Sequence, residues 1–225
     1  MRLEATTSSG PAPSAAEKPN DKRSPPDYEN EKIFQRNRLP TRSYYIPDAS
    51  ILLNGLWNFH YAPTPDLAPS WDEIKADGIQ SWKPIEVPGH WQLQGYGRPQ
   101  YTNVIYPFPV CPPHVPTDNP TGSYVRKFLI PPGWGSETQL RLRFEGVDSA
   151  FHVFVNGTEV GYSQGSRNSA EFDVTALVKR EEENLLLVRV YQWSDGSYIE
   201  DQDQWWLSGT GHLLWIVWRL VLTNF

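Results

Sequence analysis

The stretch "QLRLRFEGVDSAFHVFVNGTEVGYS" (139–163) decides the fold class. In its first part Leu140, Leu142 and Phe144 alternate with Arg141, Arg143 and Glu145, the period-two pattern of a strand with one apolar face. In its second part Asn156-Gly157 separates two short β-rich runs, the strongest local signal for a hairpin. Outward from there, "NLLLVRVYQW" (184–193) is apolar on nearly both faces, which fits a central strand covered by a second layer. "LNGLWNFHYAP" (53–63) and "GSYVRKFLIPP" (122–132) have strand composition bounded by Gly or Pro. Helix is scarce. "SWDEIKADG" (70–78) reads as two turns, capped by Ser70 and stopped by Gly78, and "DVTALV" (173–178) as a single capped turn. Short strands with turn signals roughly every ten residues predict an all-β chain folded as a jelly-roll antiparallel β-sandwich.

The 225 residues suffice for one large domain, and a hydrophobic content of 39% with ten tryptophans supplies its core. A net charge of −6 opposes nucleic-acid binding, which needs a basic footprint. His60, His90, His114, His152 and His212 show no pair at zinc-ligand spacing. Cys111 stands alone, so no disulfide framework is expected. The start, "MRLEATTSSGPAPSAAEKPNDKRSPP", lacks the apolar region of a secretory signal, and its composition predicts a disordered tail over residues 1–26. The longest apolar run, "LLWIVWRLVL" (213–222), is interrupted by Arg219 and falls short of the ~20 residues that span a bilayer. The expectation is a soluble, intracellular protein without membrane or nucleic-acid partners.

Residues 88–121 are rich in proline and poor in periodicity, which predicts a long ordered loop anchored by Trp91, Tyr96, Tyr101, Tyr106 and Phe108. Such loops inside compact domains are usually functional; the alternative is a structural lid over a sheet face. "SDGSYIEDQDQWWLSG" (194–209) combines Asp195, Glu200, Asp201 and Asp203 with Trp205 and Trp206. Paired carboxylates serve glycoside hydrolysis, carboxylates with neutral oxygens hold hard cations, and Asp beside Trp suits a sugar. A solvated acidic turn after a core strand is the remaining reading. "GYSQG" (161–165) fits the G-x-S-x-G pattern of a nucleophile elbow, but no helix signal follows it, so it reads as a turn. "NGT" (156–158) carries no weight as a glycosylation site without a signal peptide, and no Gly-rich loop opens a helix to hold a nucleotide.

Taken together, "NRLPTRSYY", "LNGLWNFHYAP", "VPGHWQLQGYGRPQYTNVIYPFP", "PPHVPTDNPTGSYVRKF", "FEGVDSAFHVFVNGTEVGYSQGSRNSAEFD" and "WSDGSYIEDQDQWWLSG" resemble the N-terminal region of family 2 glycoside hydrolases, in particular those of the cytoplasmic β-galactosidase (lactase) type. The resemblance covers about residues 27–209. It implies a galactose-binding-like jelly-roll domain that, in the family, precedes an immunoglobulin-like domain and a catalytic barrel. By that resemblance Asn103, in "YTNV", contacts the galactosyl group, and Asp203, in "EDQD", contacts substrate and ligates Na⁺. A peripheral Mg²⁺ site is implied at Asp27, Asn30, the carbonyl of Ile33, Gln164 and Asp195. No catalytic residue is expected here, because the family's glutamates lie in the barrel. The implied partners are a β-galactoside, the barrel of the intact enzyme and further copies of that enzyme in a homo-oligomer. Two other readings stand beside this one: a free-standing galactose-binding module, and a fragment that is inactive or complements a barrel-bearing chain. After "WWLSG", residues 210–225 depart from the family's pattern, implying a truncated or mis-spliced product with an apolar, association-prone end.

Overall fold

A computed structural model describes residues 24–41, 49–103, 105–135, 138–210 and 214–219. The tail expected over 1–26 lies mostly outside these residues, as do 211–213 and 220–225 of the C-terminal segment.

The strands, numbered in chain order, form two sheets. The larger runs β1 (Gln35–Arg36), β10 (Thr158–Gln164), β9 (Ala150–Val155), β12 (Asn184–Tyr191), β7 (Thr121–Phe128), β3 (Gly55–Ala62) and β4 (Lys83–Val87). The smaller runs β11 (Ala170–Asp173), β8 (Gln139–Phe144), β15 (Leu214–Arg219) and β2 (Ser50–Leu52). Every pairing is antiparallel. The chain is therefore an all-β sandwich, as its alternation requires.

The core lies between the sheets. Leu140, Leu142 and Phe144 of β8 meet Val153 and Val155 of β9 and Leu186, Val188 and Val190 of β12. The other face of β8 is not simply solvated. Arg143, 2% exposed, donates to Glu171 Oε1 at 2.9 Å and to both carboxylate oxygens of Glu145. Arg141 reaches the second oxygen of Glu171 at 3.1 Å, so a buried charge network replaces an apolar packing layer.

Strand β12 is central, with β9 and β7 on its two sides. Its outward Leu187 is covered, together with Val125, by Ile74 of helix α1 (Trp71–Asp77), which explains why the strand is apolar on both faces. Helix α1 begins and ends where its sequence directs. Ser70 Oγ accepts from the Glu73 N–H at 3.3 Å, the Glu73 carboxylate accepts from the Ser70 N–H at 2.7 Å, and Gly78 ends the helix. The β9–β10 hairpin turns at Asn156 (φ 51°) and Gly157 (φ 90°), the left-handed pair of a type I′ turn. A side chain on Gly157 would also strike Trp71, since a Cβ there lies 2.4 Å from its indole nitrogen. "GYSQG" ends β10 and leads into a turn with no helix behind it.

Past Gly209 the backbone continues the sandwich. β15 lies between β8 and β2, pairing Trp215 with Arg143 on one side and with Leu52 on the other. No helix among the described residues is long and apolar enough to cross a membrane.

Candidate functional site

Two short ribbons stand apart from the sheets. One pairs β5 (Gly89–His90) with β14 (Gly209–Thr210), the other β6 (Gln100–Thr102) with β13 (Gln204–Trp206). The second ribbon brings the proline-rich loop to the acidic, tryptophan-bearing stretch. Its register pairs Thr102 with Gln204 and Tyr101 with Trp205. The ladder ends at the Thr102–Gln204 pair, and the next residues along the two strands are Asn103 and Asp203.

Alternation along a strand sorts the side chains of this ribbon. Tyr101, Asp203 and Trp205 share one face. The Tyr101 hydroxyl donates to Asp203 Oδ1, and its ring lies 5.6 Å from that of Trp205. Trp205 is 57% exposed and forms an open aromatic wall beside the carboxylate. Trp206 points the other way and is buried against Trp193, Phe108 and Val115, with its indole N–H donating to Thr102 Oγ1 at 2.6 Å. The two adjacent tryptophans thus divide the labour: one lines the surface, the other anchors it.

The loop over 88–121 is ordered by this small second core and by a tyrosine from the acidic stretch. Tyr198, in helix α2 (Ser197–Glu200), donates to the His114 carbonyl at 2.5 Å and accepts from the Cys111 N–H at 3.1 Å. Tyr106 donates to the Tyr198 carbonyl at 2.7 Å. Gln92 and Ser208 bond reciprocally at 2.8 and 3.2 Å, which fixes the end of the first ribbon. Glu200 is an orienting acid rather than a solvated one, since it accepts from the N–H and hydroxyl of Ser166 at 2.8 and 2.5 Å. Asp201 keeps one buried carboxylate oxygen without a partner among the described residues.

The expected peripheral cation residues lie along the arm formed by residues 24–41. β1 of this arm pairs with β10, and the Asp195 N–H donates to the Tyr28 carbonyl at 2.8 Å. The Gln164 and Asp195 side chains bond to each other; burial raises the Asp195 carboxyl above its ordinary value and that bond opposes the shift. Ile33 packs against Ala150, Tyr162 and Tyr191 in a buried cluster under the arm, and Asn30 Oδ1 accepts from the Lys32 N–H. Asp27 is engaged elsewhere. Arg36 donates to its two oxygens at 2.5 and 2.8 Å, and His152 approaches at 3.3 Å. Burial works against ionisation of Asp27, but Arg36 and His152 hold its pKa below the usual carboxylate range. The donor set is all oxygen, which suits a hard cation. At the Asp195–Gln164 end the residues fit such an ion; Asp27 would join only by releasing Arg36, whose side chain is 48% exposed. Among the described residues no group of three or more His, Cys, Asp or Glu is arranged to hold a metal, so amide and carbonyl oxygens must complete any such site.

Tyr101, the neighbour of Asp203, was assigned from the sequence only as an anchor of the loop, and Tyr198 was not singled out. The signal for Tyr101 was present, two residues before Asn103 and so on the same face of a strand. Its partner, 102 residues away, was not.

Residues 51–214 match the family described as glycosyl hydrolases family 2, sugar binding domain. The chain is 48% identical over 189 residues to a beta-galactosidase of Kluyveromyces lactis, covering 82% of this chain and 18% of that one. It is 48% identical over 190 residues to a beta-galactosidase of Arthrobacter sp., covering 76% and 19%. Among solved structures, a beta-glucuronidase of Bifidobacterium dentium complexed with coumarin-3-O-glucuronide superposes with a TM-score of 0.54 at 18% identity, covering 77% of this chain and 30% of that one. That likeness concerns the fold. The chain spans under a fifth of the length of these curated relatives.

Proposed function

The chain belongs to glycosyl hydrolases family 2 through its sugar binding domain, and from this premise we propose that it lends a wall and polar contacts to a β-galactoside cavity whose catalytic carboxylates come from a barrel domain outside these residues. In this reading Asn103 and Asp203 bond to hydroxyls of the galactosyl group, and Trp205 offers its indole to the ring's C–H face. The intact protein hydrolyses terminal β-D-galactosides inside the cell, and this chain by itself turns nothing over. A retaining mechanism needs two carboxyl groups flanking the scissile bond, and in this reading Asp203 alone among the described carboxylates meets the sugar.

The observation that carries the reading is the β6–β13 register, which supports convergence of Asn103 and Asp203 on one ligand. Had the two residues emerged at opposite ends of the sandwich, no single sugar could bridge them. Asp203 would hold Na⁺ beside the sugar, and Asp195 with Gln164 would hold Mg²⁺ against the arm through Asn30 and the Ile33 carbonyl. Each ion supplies fixed positive charge that orients oxygen ligands.

The test is a β-galactoside titration of the 225-residue chain followed by NMR, beside an assay with a chromogenic galactoside. The expected result is weak binding, in the ~millimolar range, that perturbs Asn103 and is lost in Asp203→Asn, with no turnover. Turnover by the chain alone, or a titration in which Asn103 does not respond, overturns the reading.

A further inference from the structure

The face of the larger sheet that helix α1 covers carries a row of polar residues across three strands. The register sets His60 of β3 opposite Ser123 of β7, and Ser123 opposite Arg189 of β12. Ser123 and Arg189 stand two residues from Val125 and Leu187, and so on the face packed under Ile74. Directly opposed side chains on one face are ~5 Å apart at Cβ, so the small Ser123 is flanked closely by the imidazole and the guanidinium.

Each of the three presents a buried polar atom with no hydrogen-bond partner among the described residues: His60 Nδ1, Ser123 Oγ and Arg189 Nε. Ser123 is wholly buried. Buried polar atoms are normally satisfied, and three open ones in adjacent positions point to one shared partner. Arg189 decides its charge. The guanidinium donates to the Pro69 carbonyl and meets no carboxylate among the described residues. The next residue of the row, His152, is engaged with Asp27 and the Tyr191 hydroxyl. A half-buried cation is costly unless matched. All three atoms can donate: Arg189 always, Ser123 by rotating its hydroxyl, and His60 as a neutral ring carrying its proton on Nδ1. Burial lowers the pKa of His60 and favours that neutral ring. His60 and Pro69, at the two ends of the row, also border a cleft of about 390 Å³ that opens to solvent. Asp66 and Glu73 border the same cleft and disfavour a multiply charged anion.

We propose that His60, Ser123 and Arg189 form a binding site for one small monovalent anion of the chloride class, which ties the β3–β4 connection to the sheet beneath it. The anion accepts from Arg189 Nε–H, Ser123 Oγ–H and His60 Nδ1–H, and it neutralises the guanidinium that also holds the Pro69 carbonyl. The site shares no residue with the galactosyl contacts or the expected cation sites and stands independently of them.

The experiment is NMR titration of the whole chain, ¹⁵N-labelled at arginine, with sodium chloride, sodium gluconate keeping the ionic strength constant. The Arg189 Nε–H signal is expected to shift saturably, half-complete at ~1–50 mM chloride. Ser123→Ala removes the hydroxyl without adding bulk, and His60→Phe keeps a ring against Trp82 while removing the nitrogen; each weakens binding about five-fold. Should His60→Phe fold poorly, Ser123→Ala decides the matter, since it takes away only a buried hydroxyl that has no partner. Chloride is also expected to raise the unfolding temperature of the wild type more than that of Ser123→Ala. An Arg189 Nε–H unmoved up to about 200 mM chloride, meaning that water alone meets these atoms, overturns the proposal, as does Ser123→Ala binding chloride like the wild type.

Discussion

The hydroxyl of Tyr101 donates to the carboxylate of Asp203 across the β6–β13 ribbon, joining residues 102 positions apart in the chain. This bond ties the tip of the long proline-rich loop to the acidic stretch at the edge where Asn103 also emerges. The phenol pKa of Tyr101 is raised, by this hydrogen bond first, by desolvation next and by the nearby negative charge last. Asp203→Asn is therefore expected to lower that pKa toward the ordinary tyrosine value. Titration of ¹³C-labelled tyrosine Cζ by NMR reads it directly, and an unchanged Tyr101 would mean that the contact is not formed in solution.

Trp206 holds the ribbon to the body of the protein. It packs against Trp193 at 5.4 Å and loses both this contact and its bond to Thr102 on truncation. Trp206→Ala should cost about 3–5 kcal/mol of stability by urea unfolding, the range for buried aromatic truncation. Trp205→Ala, at a position 57% exposed, should cost well under half of that. Equal losses in the two variants would contradict the division between wall and anchor.

Asp148 should make stability fall as pH rises. Burial pushes its carboxyl up to about 7, with Glu200 adding to the shift and Arg167 and Ser166 opposing it. Between roughly pH 4 and 7 the folded chain keeps a proton that the unfolded chain has released. The folded state therefore binds more protons in this window, and its stability declines until the cost is complete above pH 7. Asp148→Asn removes the effect, so wild type and variant should differ little at pH 4. At pH 8 the variant should be more stable, by about 2 kcal/mol. Thermal unfolding at the two pH values checks the sign.

The arm over residues 24–41 depends on a close approach at Gly161. A Cβ there would lie 2.2 Å from the Arg36 carbonyl oxygen and 2.9 Å from the Phe172 ring. Gly161→Ala must push β1 off the sheet edge or shift β10, at a cost of about 1–3 kcal/mol. Trypsin should then cut at Lys32, Arg36 or Arg38 at least ten-fold faster, measured by mass spectrometry of the early fragments. A cleavage pattern matching wild type would show that the edge absorbs the methyl group.

Much of the sandwich was legible because its rules are local. Ser70 opens helix α1 through hydrogen bonds to Glu73, three residues on, Gly78 ends it at φ 64°, and Asn156-Gly157 turn the chain with their own φ angles. The doubly apolar run of β12 announced a central strand, and β12 sits between β9 and β7. The burial of Arg143 was less legible. Alternation assigned it to the face opposite the core, yet Glu171 from β11 and Glu145 close over it, and an alternating pattern does not say what lies against its polar side. The segment after Gly209 broke the expected sequence pattern and still supplies β15, because a strand needs backbone partners and these are present in β2 and β8.

The candidate site divides along the same line. Asn103 and Asp203 were picked out by the motifs around them, but nothing local tied "YTNV" to "EDQD". By itself the sequence determined the strands, the hairpin and the capped helix, since these follow from backbone geometry and side-chain periodicity within a few residues of each position; the family came from the resemblance of its motifs. Only the tertiary structure decided which loop met which. The pairing of β6 with β13 and the opposite fates of Trp205 and Trp206 arise from contacts between distant segments, whose register is set by packing that no local pattern encodes.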